Sequence, residues 1–162
     1  MRKVFKLLHT LAACGLIGAL LGHAVVLTYA PQDTAAAYAG MRATISALSN
    51  YILLPSLGVA LVTGLLSMAS HPPFHEMRWV WIKALLGFSM FESTLAVVVA
   101  KANNAASVSR KIANGEADAG ALDAALQYEW HGLVAIMTLS LANVVLGVWR
   151  PRLKRRTQPQ PA

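Results

Sequence analysis

Residues 3–27 read KVFKLLHTLAACGLIGALLGHAVVL, a basic start followed by an apolar run that holds two histidines, His9 and His23. The reading of this stretch decides the fold. A secretion signal has an apolar core of about 7–15 residues before a small-residue cleavage site. Here the apolar character continues to Thr28. Leu11-Ala12-Ala13-Cys14 has the form of a lipoprotein cleavage box, but Lys6 and His9 leave almost no apolar core ahead of it. The residues after Cys14 are also apolar, where a mature lipoprotein turns polar. The stretch is therefore expected to stay in the protein as a transmembrane helix.

Composition points the same way. Of 162 residues, 56 % are hydrophobic and only 13 % charged, against about 25 % charged in soluble domains. The mean hydropathy is +0.51. A single Cys excludes an internal disulfide. The net charge of +7 comes largely from basic residues clustered near the two ends, beside apolar segments. That pattern suits a membrane face and argues against nucleic acid as a partner.

Four apolar runs approach the roughly 20 residues needed to cross a bilayer, at 4–28, 45–70, 78–101 and 130–149. The first two are joined by the polar link APQDTAAAYAGMRAT, the next two by SHPPFHEMR, where Pro72 and Pro73 enforce a turn. In the third link Asn114-Gly115 reads as a turn, and the Ala-rich stretch after it is expected to extend the fourth helix. Arg2, Lys3, Lys6 and the cluster Arg150, Arg152, Lys154, Arg155 and Arg156 flank the first and last spans. By the positive-inside rule both termini face the cytoplasm. The expectation is an all-α, antiparallel four-helix transmembrane bundle over residues 1–152, with a basic, disordered tail at 153–162.

His9 and His23 are fourteen steps apart, which on an α-helix brings them within about 40° of one face and roughly 21 Å apart along it. Leu16, Leu20 and Leu27 share that face. Gly15, Gly18 and Gly22 lie opposite, where Gly18-x-x-x-Gly22 would admit a close neighbour. Two such histidines on a transmembrane helix resemble the arrangement by which b-type cytochromes hold two haems. His131, at the start of the fourth span, lies at the depth of His23 and makes a His23–His131 pair reasonable. The plainer alternative is a histidine near each headgroup region, bonded to water or a carbonyl. On the third span Lys83 can snorkel to the headgroups. Glu92, nine residues on and so on the opposite face, is expected to face the interior near His23 and His131, where a carboxylate can relay protons. His71, His75 and Glu76 have ligand spacing, but the two prolines deny them a helix. Asn143 reads as interhelical glue.

A set of weak motifs runs across all four spans in order. They are Lys6-x-x-His9, Pro55 with Gly64 nine residues later, Trp79-x-x-x-Lys83, and Arg150-Pro151 after the last span. In this the chain resembles the four-helix membrane protoporphyrinogen oxidases of bacteria, the copper-resistance D proteins, and an uncharacterised family of four-helix integral membrane proteins. WHGLVAIMTLSLANVVLGVWRPRL, from Trp130, looks most like the last. The resemblance implies a bacterial inner-membrane location, His9 as haem ligand of the first helix and Lys83 as a residue needed for activity. The chain departs from the oxidases at Phe91-Glu92, where they usually carry a His.

The expected function is a multi-pass membrane protein binding one or two b haems through His9, His23 and His131. Its work would be electron transfer or porphyrinogen-type oxidation, with Lys83 and Glu92 in the chemistry. A redox partner in the membrane and a homodimer are the expected associations. Two other classes stay open. One is a copper-handling or transport accessory protein using the histidines with Met41, Met68 and Met77. The other is a structural or assembly subunit without cofactor.

Overall fold

The computed structural model describes residues 2–70, 78–122, 126 and 129–149. The Pro72-Pro73 turn, His71, His75, Glu76 and the tail at 153–162 lie outside the described residues. The rest is all-helical, with no strand among the described residues. Four helices carry the fold: α1 (Arg2–Tyr29), α2 (Ala35–Ala69), α3 (Arg78–Ala113) and α4 (Glu129–Trp149). Each is long and apolar enough to cross a membrane, as in a multi-pass membrane protein.

Two helices are longer than the apolar runs that announce them. The link before the second span is mostly helix, because Thr34 caps it and Ala-rich sequence propagates it. The Thr34 hydroxyl accepts from the Ala37 N–H at 3.1 Å. Likewise α3 continues past residue 101 to Ala113. There Asn114 ends it and Gly115 takes φ 76°, so the turn read at Asn114-Gly115 is present. Residues 35–48 of α2 pack along residues 100–113 of α3. Ala102, Ala105, Ala106 and Ser109 are buried in that seam, and small side chains let two backbones approach closely. Polar or small residues made this region look like loop; the partner helix makes it structure. The expected extension of α4 is not a continuous helix in its described part, since Ala119–Leu122 forms a 3-10 turn.

Both long helices widen midway into π-helical turns, at Ser49–Leu53 in α2 and Thr94–Val99 in α3. In α2 the reason is Pro55, immediately downstream. Proline offers no N–H and crowds the carbonyl four residues back, and a wider turn accommodates it. The Leu54 N–H reaches five residues back, to Ser49 O. The two π segments contact one another across the bundle.

The core runs along the facing sides of all four helices, through Leu16, Leu20, Ile45, Leu53, Met90 and Ile136. Large apolar residues such as Leu21, Val62, Leu85, Phe88 and Val134 point outward, the pattern of helices solvated by lipid. The face of α1 that carries His9, Leu16, Leu20, His23 and Leu27 is the inward one, as its spacing predicts. The glycines behave differently from expectation. Gly18 faces outward with nothing near it, whereas a Cβ on Gly15 would stand 2.5 Å from the Ser56 hydroxyl. The close approach of α1 to α2 is therefore made at Gly15, and Gly18-x-x-x-Gly22 is not a seam within this chain.

Candidate functional site

Polar side chains gather at two levels of the bundle. At the first, α1 turns His9 towards α2. Its Nδ1 lies 2.8 Å from the Ala60 carbonyl and 3.3 Å from the Thr63 hydroxyl. A carbonyl oxygen only accepts, so Nδ1 carries the proton and donates it. The Thr63 hydroxyl lies 2.6 Å from Val59 O and gives its own proton there, so towards the ring it also accepts. The ring is thus held as the Nδ1–H tautomer, with the lone pair on Nε2.

Gly64 makes room for this ring. A Cβ at that position would stand 3.4 Å from His9 Cε1 and 3.7 Å from Nδ1. Lys83 is brought to the same level by α3. Gly87, one turn on from it, would meet Leu61 Cδ1 of α2 at 3.4 Å with a Cβ, and Lys83 Nζ lies 2.5 Å from where a Cβ on Gly147 of α4 would be. The amine therefore rests against the adjacent α4 instead of running out along its own helix. Motif residues far apart in sequence, His9, Gly64 and Lys83, come together here.

At the second level, about 21 Å further along α1, His23 is buried with only 4 % of its surface exposed. The group facing it is Glu129, whose Oε1 lies 3.4 Å from His23 Nε2. Arg42 of α2, also 4 % exposed, donates through Nη1 to both Glu129 oxygens at 2.8 Å. Its Nε and Nη2 donate to the Tyr38 hydroxyl at 3.0 and 2.8 Å. The guanidinium also lies 5.0 Å from the Tyr38 ring centre. A buried charge is tolerated only when paired and hydrogen-bonded, and this one is both. A cavity beside the cluster is lined by His23, Glu129, Lys101, Val98, Gly132 and Leu133. Its volume is about 20 Å³, enough for one water molecule.

Two expectations change in this light. His131 is exposed and does not face His23. It is two residues from Glu129, about 200° around α4, so a helix that presents Glu129 to His23 turns His131 away. Glu92 is exposed too, not directed to the interior. The half-turn between Lys83 and Glu92 holds, but Lys83 takes the inner side. Asn143 does bridge helices, its Nδ2 lying 3.8 Å from Met90 Sδ. Among the described residues no three His, Cys, Asp or Glu side chains converge.

Arg42 and Glu129 were not legible as site residues. Arg42 sits in the stretch that reads as a polar link, and Glu129 among the charges of a loop. The one signal was Tyr38 and Arg42, four apart and so on one helical face. Comparison with known protein families, with characterised proteins and with solved structures gives no match.

Proposed function

We propose that this chain is an antiparallel four-helix bundle of the bacterial inner membrane, termini cytoplasmic, that binds haem b through His9 for electron transfer or porphyrinogen-type oxidation. The observation that carries this reading is the state of the His9 ring. A histidine that ligates iron commonly donates its other ring N–H to a carbonyl or carboxylate, which fixes tautomer and orientation. His9 does so with Ala60 O, leaving Nε2 as the ligating atom. Two further residues support the reading. Gly64 leaves the ring space that a larger side chain would take, and Lys83 is a cation near the same depth of the bundle, where it can pair with a haem propionate.

Haem, when bound, supplies one-electron chemistry. This chain's residues supply an axial nitrogen, a fixed ring plane and a positive charge. One haem is proposed rather than two, because His23 Nε2 is engaged with Glu129 and His131 points elsewhere. The test is the visible spectrum of the protein purified in mild detergent after expression with added haem precursor. A Soret band with reduced-minus-oxidised α absorption is expected, lost in His9→Ala and kept in His23→Ala and His131→Ala. A colourless wild-type protein, or a band indifferent to His9, overturns the reading. Oxidation of protoporphyrinogen by membranes of a complemented oxidase-deficient strain then separates the enzyme from an electron carrier.

A further inference from the structure

The two π segments touch, Ser49–Leu53 of α2 against Thr94–Val99 of α3. A π turn inside an α-helix is uncommon, recurs at functional positions and is one of the few causes of a sharp bend. Two of them side by side divide the α2–α3 pair across one plane. On one side are the apolar halves, Leu54–Ala69 and Arg78–Ser93; on the other, Ala35–Leu48 pairs with Ala100–Ala113. Each π segment also holds a buried hydroxyl without a hydrogen-bond partner, Ser49 Oγ and Thr94 Oγ1. An unmade bond of that kind costs stability, so the present shape of both turns depends on what is packed beyond them.

The part beyond the plane, an arm of two helices, is secured unevenly. Its helices pack along one another with Ala102, Ala105, Ala106 and Ser109 buried between them, and so form one body. Met41 and Ile45 of the arm belong to one buried cluster with Leu20 and Leu27 of α1, which gives it a pivot. Towards α4 there is no such seam: among the described residues neither arm helix packs along Glu129–Trp149. There the arm is joined by Arg42, whose Nη1 donates to both Glu129 oxygens at 2.8 Å. Beside that pair lies the water-sized cavity, with His23 of α1, Lys101 of the arm and Glu129 of α4 in its wall.

We propose that Ala35–Leu48 with Ala100–Ala113 is a hinged arm: the paired π turns are its hinge, the Arg42–Glu129 ion pair is its latch, and its opening uncovers His23 and Glu129. With the latch closed, Arg42 spans from α2 to the first turn of α4 and covers the carboxylate. With it open, the arm tilts about its contacts with α1 and Arg42 leaves with it into water. Glu129 then keeps His23 as partner, since both stand on helices outside the arm. A charged latch suits a reversible device. The attraction between buried charges roughly offsets the cost of desolvating them, so little separates closed from open, whereas an apolar seam would fix the arm outright. A bend of about 20° at the π turns, acting over the roughly 12 Å of helix from Val99 to Ser107, displaces Ser107 by about 4 Å. The arm lies at the other level from His9, and the inference does not rest on haem there.

The experiment uses the whole chain in lipid nanodiscs, with Cys14→Ala to clear the native thiol. Spin labels are attached through Ser107→Cys on the arm and Val134→Cys on α4, both exposed positions. A reference pair, Val62→Cys with Leu141→Cys, uses exposed positions outside the arm. Pulsed dipolar spectroscopy is expected to give one distance for each pair when the latch is intact. In Arg42→Met/Glu129→Met, which removes the latch without leaving a lone buried charge, the arm pair should gain a component about 4 Å longer while the reference pair stays unchanged. Adding Pro55→Ala, which lets α2 close its helical ladder at the hinge, should shrink that component. An arm pair unmoved by loss of the latch overturns the proposal, and so does a reference pair that moves with it. A long component indifferent to Pro55 overturns the hinge, and an intact chain already split between two distances overturns the latch.

Discussion

Arg42 Nη1 lies 2.8 Å from both carboxylate oxygens of Glu129, tying α2 to the first turn of α4. Both partners are largely withdrawn from solvent, with side chains 5 % and 16 % exposed. Attraction between two such charges roughly offsets the cost of desolvating them, but removing one leaves the other buried and unpaired. Arg42→Met or Glu129→Met alone is therefore expected to cost about 3–5 kcal/mol. Replacing both residues, Arg42→Met with Glu129→Met, should recover most of that loss. Unfolding of the four proteins in one detergent, read as a double-mutant cycle, checks it. Single and double variants of equal stability would show that the pair is not buried in the membrane.

The four spans could be read from the sequence because lipid demands about 20 apolar residues each time, and a water-soluble fold has little use for runs of that length. The inward face of α1 followed from the helical period alone. The extensions of α2 and α3 could not be read so, because Ala35–Leu48 and Ala100–Ala113 are stabilised by each other and carry no apolar run. The same cause hid the His23 cluster. Arg42 acquires its meaning only when α2 begins at Ala35 and not near residue 45, and the distinction between Glu129 and His131 rests on a rotation of α4 that tertiary packing sets. His9 and Lys83 were singled out by what the family resemblance implies, and the contact of Lys83 with Gly147 had no signal in the sequence.

Gly64 faces the His9 ring at contact distance, so its substitutions should grade by size. A single methyl at 3.4 Å from Cε1 can be carried, and Gly64→Ala should keep the His9-dependent Soret band. Gly64→Leu should displace the ring and lose the band while leaving the helix content unchanged. Circular dichroism beside the visible spectrum separates the two effects. Equal spectra in both variants would mean that the ring is free to move.

Thr63 acts on the same ring through its hydroxyl. Thr63→Val keeps shape but removes an acceptor from Nδ1–H, leaving the Ala60 carbonyl alone to hold the tautomer. Loss of such an outer partner typically weakens metal binding by about 10–100-fold. Haem titration of the detergent-solubilised protein should show a shift towards the lower end of that range, since one acceptor remains.

Lys83 and Glu92 should part company under the same assay. Lys83 rests its amine against Gly147 of the adjacent α4, whereas Glu92 is exposed. Lys83→Gln is expected to weaken haem retention and any porphyrinogen oxidation, and Glu92→Gln to leave both near wild type. A large loss in Glu92→Gln would point to a second copy of the chain covering that face.

The α1–α2 seam offers a test that needs no cofactor. A Cβ at Gly15 would overlap the Ser56 hydroxyl at 2.5 Å, yet would stand 3.4 Å from Ser56 Cβ, an ordinary contact. Gly15→Ala should thus destabilise by about 1 kcal/mol or somewhat more, the usual scale for one methyl too many in a packed interior. Ser56→Ala removes the overlapping atom, so Gly15→Ala/Ser56→Ala should return to wild-type stability or exceed it, alanine being the better helix former at both sites. Gly18→Ala, with nothing within 4 Å, should be neutral or slightly stabilising in the monomer. Unfolding midpoints in a single detergent measure all four proteins. If Gly18→Ala were the damaging change and Gly15→Ala the silent one, α1 would be rotated by about 60° from this placement, and the contact of Gly15 with Ser56 would fall with it.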